Sequence, residues 1–260
     1  MRELNVKSVR AVERAIQILN CFSFDRPDLT IEEIIEKTKL AKATAYRLLW
    51  TLERNGLIHY DPKENTYRLG YKSLEYGGIV LENLDIRREA APYLLELHDK
   101  SKHSAVLAVP QEDTIQYLLR HDSDEGFQPR NFVGRRRVLH NGAFGIVLLA
   151  YKDEDFVNRL LDKHPLEQLT PNTLTDREKF IERLREIRKK GYFIDVGGHF
   201  LGFTAIAAPV FNSTEEAIAA VGISGPSFKM EGDMEPMLVR LVKDTAKKIS
   251  LRMGYIANGS

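Results

Sequence analysis

TIEEIIEKTKLAKATAYRLLWTLER, residues Thr30 to Arg54, carries two helix signals only a few residues apart. Thr30 precedes the apolar Ile31, and Glu33 follows three residues after Thr30. That is the spacing of a capping box, in which each side chain satisfies the other's backbone amide. A short helix to about Thr38 is predicted, broken at Lys39-Leu-Ala41. Ala45, Leu48, Leu49 and Leu52 then return at helical spacing, and the pattern stops before Gly56. Two helices joined by such a turn are the arrangement in which the second enters a DNA major groove.

Upstream, Val9, Val12, Ala15, Ile16, Leu19 and Phe22 predict an amphipathic helix over Ser8–Phe24, stopped by Asp25-Arg-Pro-Asp28. Downstream, Leu57–Tyr60 and Thr66–Leu69 flank the polar turn Asp61–Asn65 and read as a hairpin, or wing. Residues 1–70 therefore read as a winged helix-turn-helix. A linker helix is expected over residues 71–88, with Leu74, Ile79, Leu81 and Leu84 apolar and Gly77-Gly78 at its middle. A further periodic helix runs from about Ile86 to Ser101 across Pro92.

Residues 89–256 read as a second domain. Strands are expected at Ser104–Val109, Thr114–Leu119, Tyr192–Val196, Thr204–Phe211 and Ile218–Ser224. Helices are expected at His140–Tyr151, Glu154–Lys163, Asp176–Lys190 and Met234–Met253. An antiparallel sheet with helices gathered around it is an α+β architecture. Residues 257–260 read as a tail.

Stepping about 100° per residue along the Lys42 helix puts Ala43, Arg47, Trp50, Thr51 and Arg54 opposite the leucine face. From Lys37 to Leu52 the chain holds Lys37, Lys39, Lys42 and Arg47 and no acid, although its net charge is only +1. Phosphates take cations and backbone amides; base edges take side chains of fixed hydrogen-bonding geometry. Lys42, Thr44, Tyr46 and Arg47 supply both kinds, with Arg54 behind them and Lys63 at the wing tip. A basic helix face by itself is most often only solvated. Here the order of cap, turn, leucine face, basic face and wing points to double-stranded DNA. Trp50 is expected to pack on the wing or first helix in preference to meeting a DNA sugar. The alternative is a winged helix used for protein or RNA contact.

The chain has 260 residues, 43% hydrophobic and 29% charged, which suits two ordinary globular domains. Its longest apolar runs, such as Ala217–Ile223, fall short of the ~20 residues of a membrane-spanning helix. With no signal-peptide pattern at the N-terminus, a cytoplasmic protein is expected. Cys21 is the one cysteine. It rules out an internal disulfide and a cysteine-built zinc site, and its apolar neighbours predict a core position. His103, His121, His140, His164 and His199 are scattered. No zinc-protease, nucleophile-elbow or phosphate-loop motif occurs, so neither enzyme activity nor a cofactor is expected.

An ordered series of motifs resembles the IclR-type regulators. In the first half these are Ser8–Leu19, Leu29–Ile34, Lys42–Leu49 with Thr51-Leu-Glu53, and Tyr67-Arg-Leu-Gly70. Further on come Leu84-Asp-Ile-Arg87, Val133-Gly-Arg135, Leu139-His140, Ile187–Tyr192, Ile206–Phe211 and Ile223-Ser-Gly-Pro226. The resemblance implies a homodimer or dimer of dimers and a GAF-like effector-binding domain. It also implies control of catabolic genes by small, often carboxylic, metabolites. By motif alignment its effector contacts fall on Ala143, Asp195 and Ser224. This chain departs from the pattern at Ala41 and Ala43, at Phe144, at Gly145-Ile146, and at Val196-Gly-Gly198, where a further acid is usual.

Arg135, Arg136 and Arg137 form the densest cationic run outside the DNA-binding half. A guanidinium pairs bidentately with a carboxylate and stays charged at any working pH. The resemblance places the segment around Arg137 at the edge of the family's pocket and maps Asp195 to the opposite wall, so the expected effector is a carboxylate held by Arg137 in the basic loop before His140. The alternative is three arginines that lie in a solvated loop or pair with nearby acids across the dimer.

Overall fold

The first helix, α1 (Arg10–Leu19), is shorter than its apolar spacing suggests. Asn20 closes it by donating its amide to the Ile16 carbonyl, the Cys21 amide donates to the Ile18 carbonyl, and the chain turns back into β1 (Asp28–Leu29). Cys21 is half-buried at the margin of the core, not within it, and its thiol donates to the Gln17 carbonyl at 3.3 Å.

Helix α2 (Ile31–Thr38) begins on a complete capping box. Thr30 Oγ1 accepts the Glu33 amide at 3.3 Å, and the Glu33 carboxylate accepts the Thr30 amide at 2.8 Å. A cap of this kind is worth about 0.5–2 kcal/mol over alanine. Lys39, left-handed at φ 56°, ends the helix, and α3 (Lys42–Arg54) follows after Ala41. Ala45, Leu49 and Leu52 are buried, and Leu49 and Leu52 share a core with Ile18, Ile34 and Ile58.

Strands β2 (Ile58–Asp61) and β3 (Thr66–Leu69) form the wing, with Tyr60 opposite Tyr67. Strand β1 pairs on the other edge of β3, Leu29 opposite Tyr67. The sequence reading lacks this strand because two residues cannot display a period. At the base of the wing, a Cβ on Gly70 would lie 2.1 Å from the Gly56 carbonyl oxygen. The Gly70 amide donates to the Leu57 carbonyl at 2.9 Å, so the wing closes directly on the end of α3. Helix α4 (Tyr71–Glu82) passes through Gly77-Gly78 unbroken. Asp85–Arg88, read with it from the sequence, instead open α5 (Asp85–Ser101), which continues across Pro92.

The computed structural model describes residues 8–82, 85–123, 133–134 and 136–256, and its chain divides into units Met1–Asn83 and Leu84–Ser260. The tail at 257–260, Leu84 and Arg135 lie outside the described residues.

The second unit is built on a six-stranded antiparallel sheet ordered β6-β5-β4-β9-β8-β7. Its strands are β4 (Ser104–Gln111), β5 (Thr114–His121), β6 (Arg136–Val138), β7 (Phe193–Val196), β8 (Phe203–Phe211) and β9 (Ala217–Pro226). Helices α5 and α9 (Met234–Arg252) pack on each other and on β4, β8 and β9. Helix α6 (Ala143–Leu149) covers the other face over β8 and β9, with α7 (Glu154–Lys163) and α8 (Arg177–Lys190) outside it. This is the expected α+β, GAF-like layering.

Two details differ from expectation. The helix placed at His140–Tyr151 starts only at Ala143, because Gly142 precedes it at φ 82° in a conformation no helix continues. Arg136 and Arg137 lie on the edge strand β6, Arg137 opposite Ile115, and not in a loop. Phe144 is accommodated by burial, edge-on to Tyr117 with ring centres 6.1 Å apart. Among the described residues no helix is long and apolar enough to cross a membrane.

Candidate nucleic-acid interface and ligand recess

Helix α3 presents its polar face because the leucine face is consumed by the core. Lys42, Tyr46, Arg47, Trp50 and Arg54 are all exposed, while Thr44 is half-buried beside them. Ala41 offers no side-chain cap, and Ala41, Lys42 and Ala43 are exposed. First-turn amides that no side chain caps are suited to a phosphate oxygen. Trp50 is 58% exposed, with the Arg54 guanidinium 4.8 Å from its ring. This corrects the expectation that it packs on the wing or α1. Lys42 Nζ lies 5.9 Å from the Tyr46 ring, so the same pairing of cation and aromatic occurs at both ends of the face.

The wing tip is a rigid turn. Asp61 Oδ1 accepts the Lys63 amide at 2.9 Å and the Glu64 amide at 3.4 Å, and Tyr60 donates its hydroxyl to Asn65 at 2.8 Å. These amides hold the Asp61 carboxyl below the usual carboxylate range, so it stays ionised, and the Lys63 side chain points to solvent.

In the second unit a cavity of about 30 Å³ lies between the turn before α6, the segment 166–174, α8 and the end of β7. Ile146, Leu174 and Phe180 give it an apolar floor, and His140, Asn172, Arg183, Asp195 and His199 give it polar walls. Thr170 and Thr173 clamp the segment over β7 by donating to the Gly197 and Gly198 carbonyls, each at 2.6 Å. Asp195 Oδ1 accepts the Gly198 amide at 3.0 Å. Burial nevertheless raises the Asp195 carboxyl above the ordinary carboxylate range, against the lowering by that amide and by Arg183. His140, 8% exposed, is shifted downward by burial, and its Nε2 has no hydrogen-bond partner.

Of the residues expected to contact an effector, Asp195 lines this cavity. Ser224 lies two strands away in register, since Asp195 faces Ala205 and Ala205 faces Ser224. Residues directly opposite share a sheet face, so Asp195 and Ser224 are on the α6 side roughly two strand spacings, about 10 Å, apart. Ala143 is buried in the first turn of α6. Arg137 stands next to the cavity, its guanidinium 5.2 Å from the Phe200 ring, which in turn packs on His199. Arg183, Asn172 and Thr173 were not expected here. Arg183 lies within the charged run Arg177–Lys190, which reads as a solvated helix face. No group of three or more His, Cys, Asp or Glu among the described residues is arranged to hold a metal.

Comparison with known proteins follows this division. The profile of the bacterial transcriptional regulator IclR C-terminal domain matches residues 78–251, and that of the IclR helix-turn-helix domain matches residues 11–62. The HTH-type transcriptional regulator KdgR of Escherichia coli (strain K12) is 31% identical over 95% of this chain and 94% of its own length. XynR of the same organism is 30% identical over 96% of this chain and 99% of its own length. A solved IclR-type transcriptional regulator from Alicyclobacillus acidocaldarius superposes with a TM-score of 0.84 at 29% identity, covering 95% of this chain and all of that one. These relatives are transcriptional regulators, not enzymes.

Proposed function

The chain belongs to the IclR family of bacterial transcriptional regulators, and on that premise we propose how its two parts work. Residues 1–70 bind double-stranded operator DNA as one half of a homodimer or dimer of dimers. Residues 89–256 bind a small carboxylate effector that changes operator affinity. The observation that carries the first part is the outward face of α3, where Lys42 and Arg47 are exposed, in a stretch from Lys37 to Leu52 that holds four cations and no acid. Lys42, Thr44, Tyr46 and Arg47 take base edges and nearby phosphates. Arg54 and Lys63 take phosphates on either side. The dimer is supported by the exposed stripe of Val9, just before α1, and Val12 and Ile16 on it, which recurs at helical spacing and suits a second copy.

The second part is supported by the cavity beside Asp195. Arg183 is the one arginine or lysine among its described lining residues and offers the fork for a carboxylate, with Arg137 at its margin. Asp195 accepts a ligand hydroxyl, Ala143 and the α6 turn bound one side, and Ser224 sits farther along the same sheet face. A cavity of about 30 Å³ admits little more than a water, so an occupant displaces segment 166–174 outward. A thermal-shift screen of the full chain against small carboxylic acids, followed by gel shifts with genomic DNA fragments, tests both parts. The expected result is a stabilising acid that alters a salt-dependent gel shift. DNA binding absent at moderate salt would favour a winged helix used for protein or RNA contact.

A further inference from the structure

A second cavity, of about 130 Å³, lies between the C-terminal end of α6, α7 and α8. Its floor is aliphatic: Leu149 closes α6, Val157 comes from α7, and Ile181 and Leu184 come from α8. Leu149, Val157 and Leu184 are buried, and Ile181 is half-buried, so the floor is part of the packed core. Its rim is cationic, with Lys152, Arg185 and Arg188 facing the single acid Glu154. Arg185 already pairs with Glu154 at 2.9 Å. No carboxylate among the described residues pairs with Lys152 or Arg188. Both instead lie near aromatic rings at the edge of the cleft, Lys152 at 5.8 Å from Phe156 and Arg188 at 5.7 Å from Tyr151.

We propose that this cleft is a second small-molecule site, for a short monocarboxylate whose apolar body lies on the aliphatic floor while its carboxylate meets Lys152 and Arg188. The size argues for a short acid: an apolar cavity of roughly 150 Å³ holds a benzene molecule. Charge sets the sign of the ligand, since the rim carries two cations beyond the paired one. Its shape separates it from a phosphate site, because an inorganic anion would leave the floor uncovered. The site is distinct from the cavity at Asp195 and goes beyond the effector reading. The two share helices: Ile146 and Leu149 are on α6, and Arg183 and Leu184 are on α8. A ligand that moves either helix at one site changes affinity at the other, and the change is reciprocal.

The test is calorimetric titration of the full chain with hexanoate, with acetate and 1-hexanol as partial probes. Hexanoate is expected to bind at least about tenfold more tightly than either partial probe. Lys152→Glu with Arg188→Glu, the first half-buried and the second exposed at the rim, is expected to weaken hexanoate at least about tenfold, as is Ile181→Phe, which fills the cleft without touching its charge. Arg183→Ala, in the other cavity, is expected to leave hexanoate affinity unchanged. Three results would overturn the proposal: no binding of hexanoate, equal binding of 1-hexanol, or a loss confined to Arg183→Ala. The last would place hexanoate at the effector cavity and leave that reading standing, so the two sites fail separately.

Discussion

Asp195 and Gly198 are locked together beside the cavity at the end of β7: the carboxylate accepts the Gly198 amide at 3.0 Å, and a Cβ on Gly198 would lie 2.3 Å from the same oxygen. The departure Val196-Gly-Gly198 thus has a physical reason. Gly197 turns at φ 68°, and Gly198 lets the buried carboxylate fold back onto its own strand end. Gly198→Ala forces the Asp195 side chain off this position. A loss of about 1–3 kcal/mol is expected from such overpacking, measured by denaturant unfolding. A variant with wild-type stability would show that the carboxylate has room to move.

Stability around this cavity depends on pH in two opposed ways. Folding lowers the His140 pKa from 6.5, so the stability it contributes is present above pH 6.5 and is lost as pH falls through the lower folded value. Folding raises the Asp195 pKa from 3.8, so its contribution is present below pH 3.8 and is lost as pH rises through the higher folded value. His140→Gln is expected to lose less melting temperature than wild type between pH 7.5 and pH 5. Asp195→Asn is expected to gain on wild type at pH 7, and the gain should shrink toward pH 4. Parallel melting curves for wild type and both variants across that range would count against these assignments.

At the DNA face, Arg47 and Lys63 are expected to act differently. Arg47 projects from the first half of α3, where side chains reach base edges, and its loss to alanine should cost about 1–3 kcal/mol on the operator and relax preference at one position. Lys63 is held at the wing tip by the Asp61 turn and suits a phosphate. Lys63→Ala should weaken all sequences alike and lower the salt slope by about 1. Gel shifts at several salt concentrations check both, and equal effects of the two variants on specific and random DNA would remove Arg47 from base reading.

The readability of the chain follows the range of its interactions. Helices α2 and α3 were legible because the capping box at Thr30 and the Ala45–Leu52 face are local. β1 was not, since Asp28–Leu29 become a strand only by pairing with Arg68 and Tyr67. Nor was β6, where two arginines and a valine show no apolar alternation. Asp195 was placed by family resemblance. Arg183 was hidden in a helix of charges, and it reaches the cavity only because Phe180 and Leu184 beside it are pinned in the core. Residues 140, 172, 183 and 195 meet by tertiary packing, which no spacing along the chain encodes.

Dimeric binding predicts a footprint of two related half-sites centred about one or more helical turns apart. The exposed α1 stripe offers a separate check. Val12→Lys with Ile16→Lys places charge where a second copy is proposed to pack, while both side chains are solvent-exposed in the single chain. Analytical ultracentrifugation should show weakened association and gel shifts a weaker complex, with the fold retained by circular dichroism. Unchanged sedimentation would move the dimer contact away from α1.

The wing depends on Gly70 in a way that side-chain flexibility cannot relieve. A Cβ there would meet the Gly56 carbonyl oxygen at 2.1 Å, which is backbone. That segment is held on both sides: the Leu57 amide donates to Leu52 at 2.9 Å, the Gly70 amide to Leu57 at 2.9 Å, and the Lys72 amide to Gly56 at 3.2 Å. Gly70→Ala therefore has to break at least one of these bonds or separate the wing from α3. A buried backbone group left unpaired costs about 1–3 kcal/mol, so a loss of that order is expected in the unfolding of the first unit. Operator affinity should fall as well, because Lys63 no longer sits at a fixed distance from Arg47. A Gly70→Ala protein with wild-type melting and wild-type gel shift would mean that the wing base yields without cost, and the proposed coupling of wing to recognition helix would be wrong.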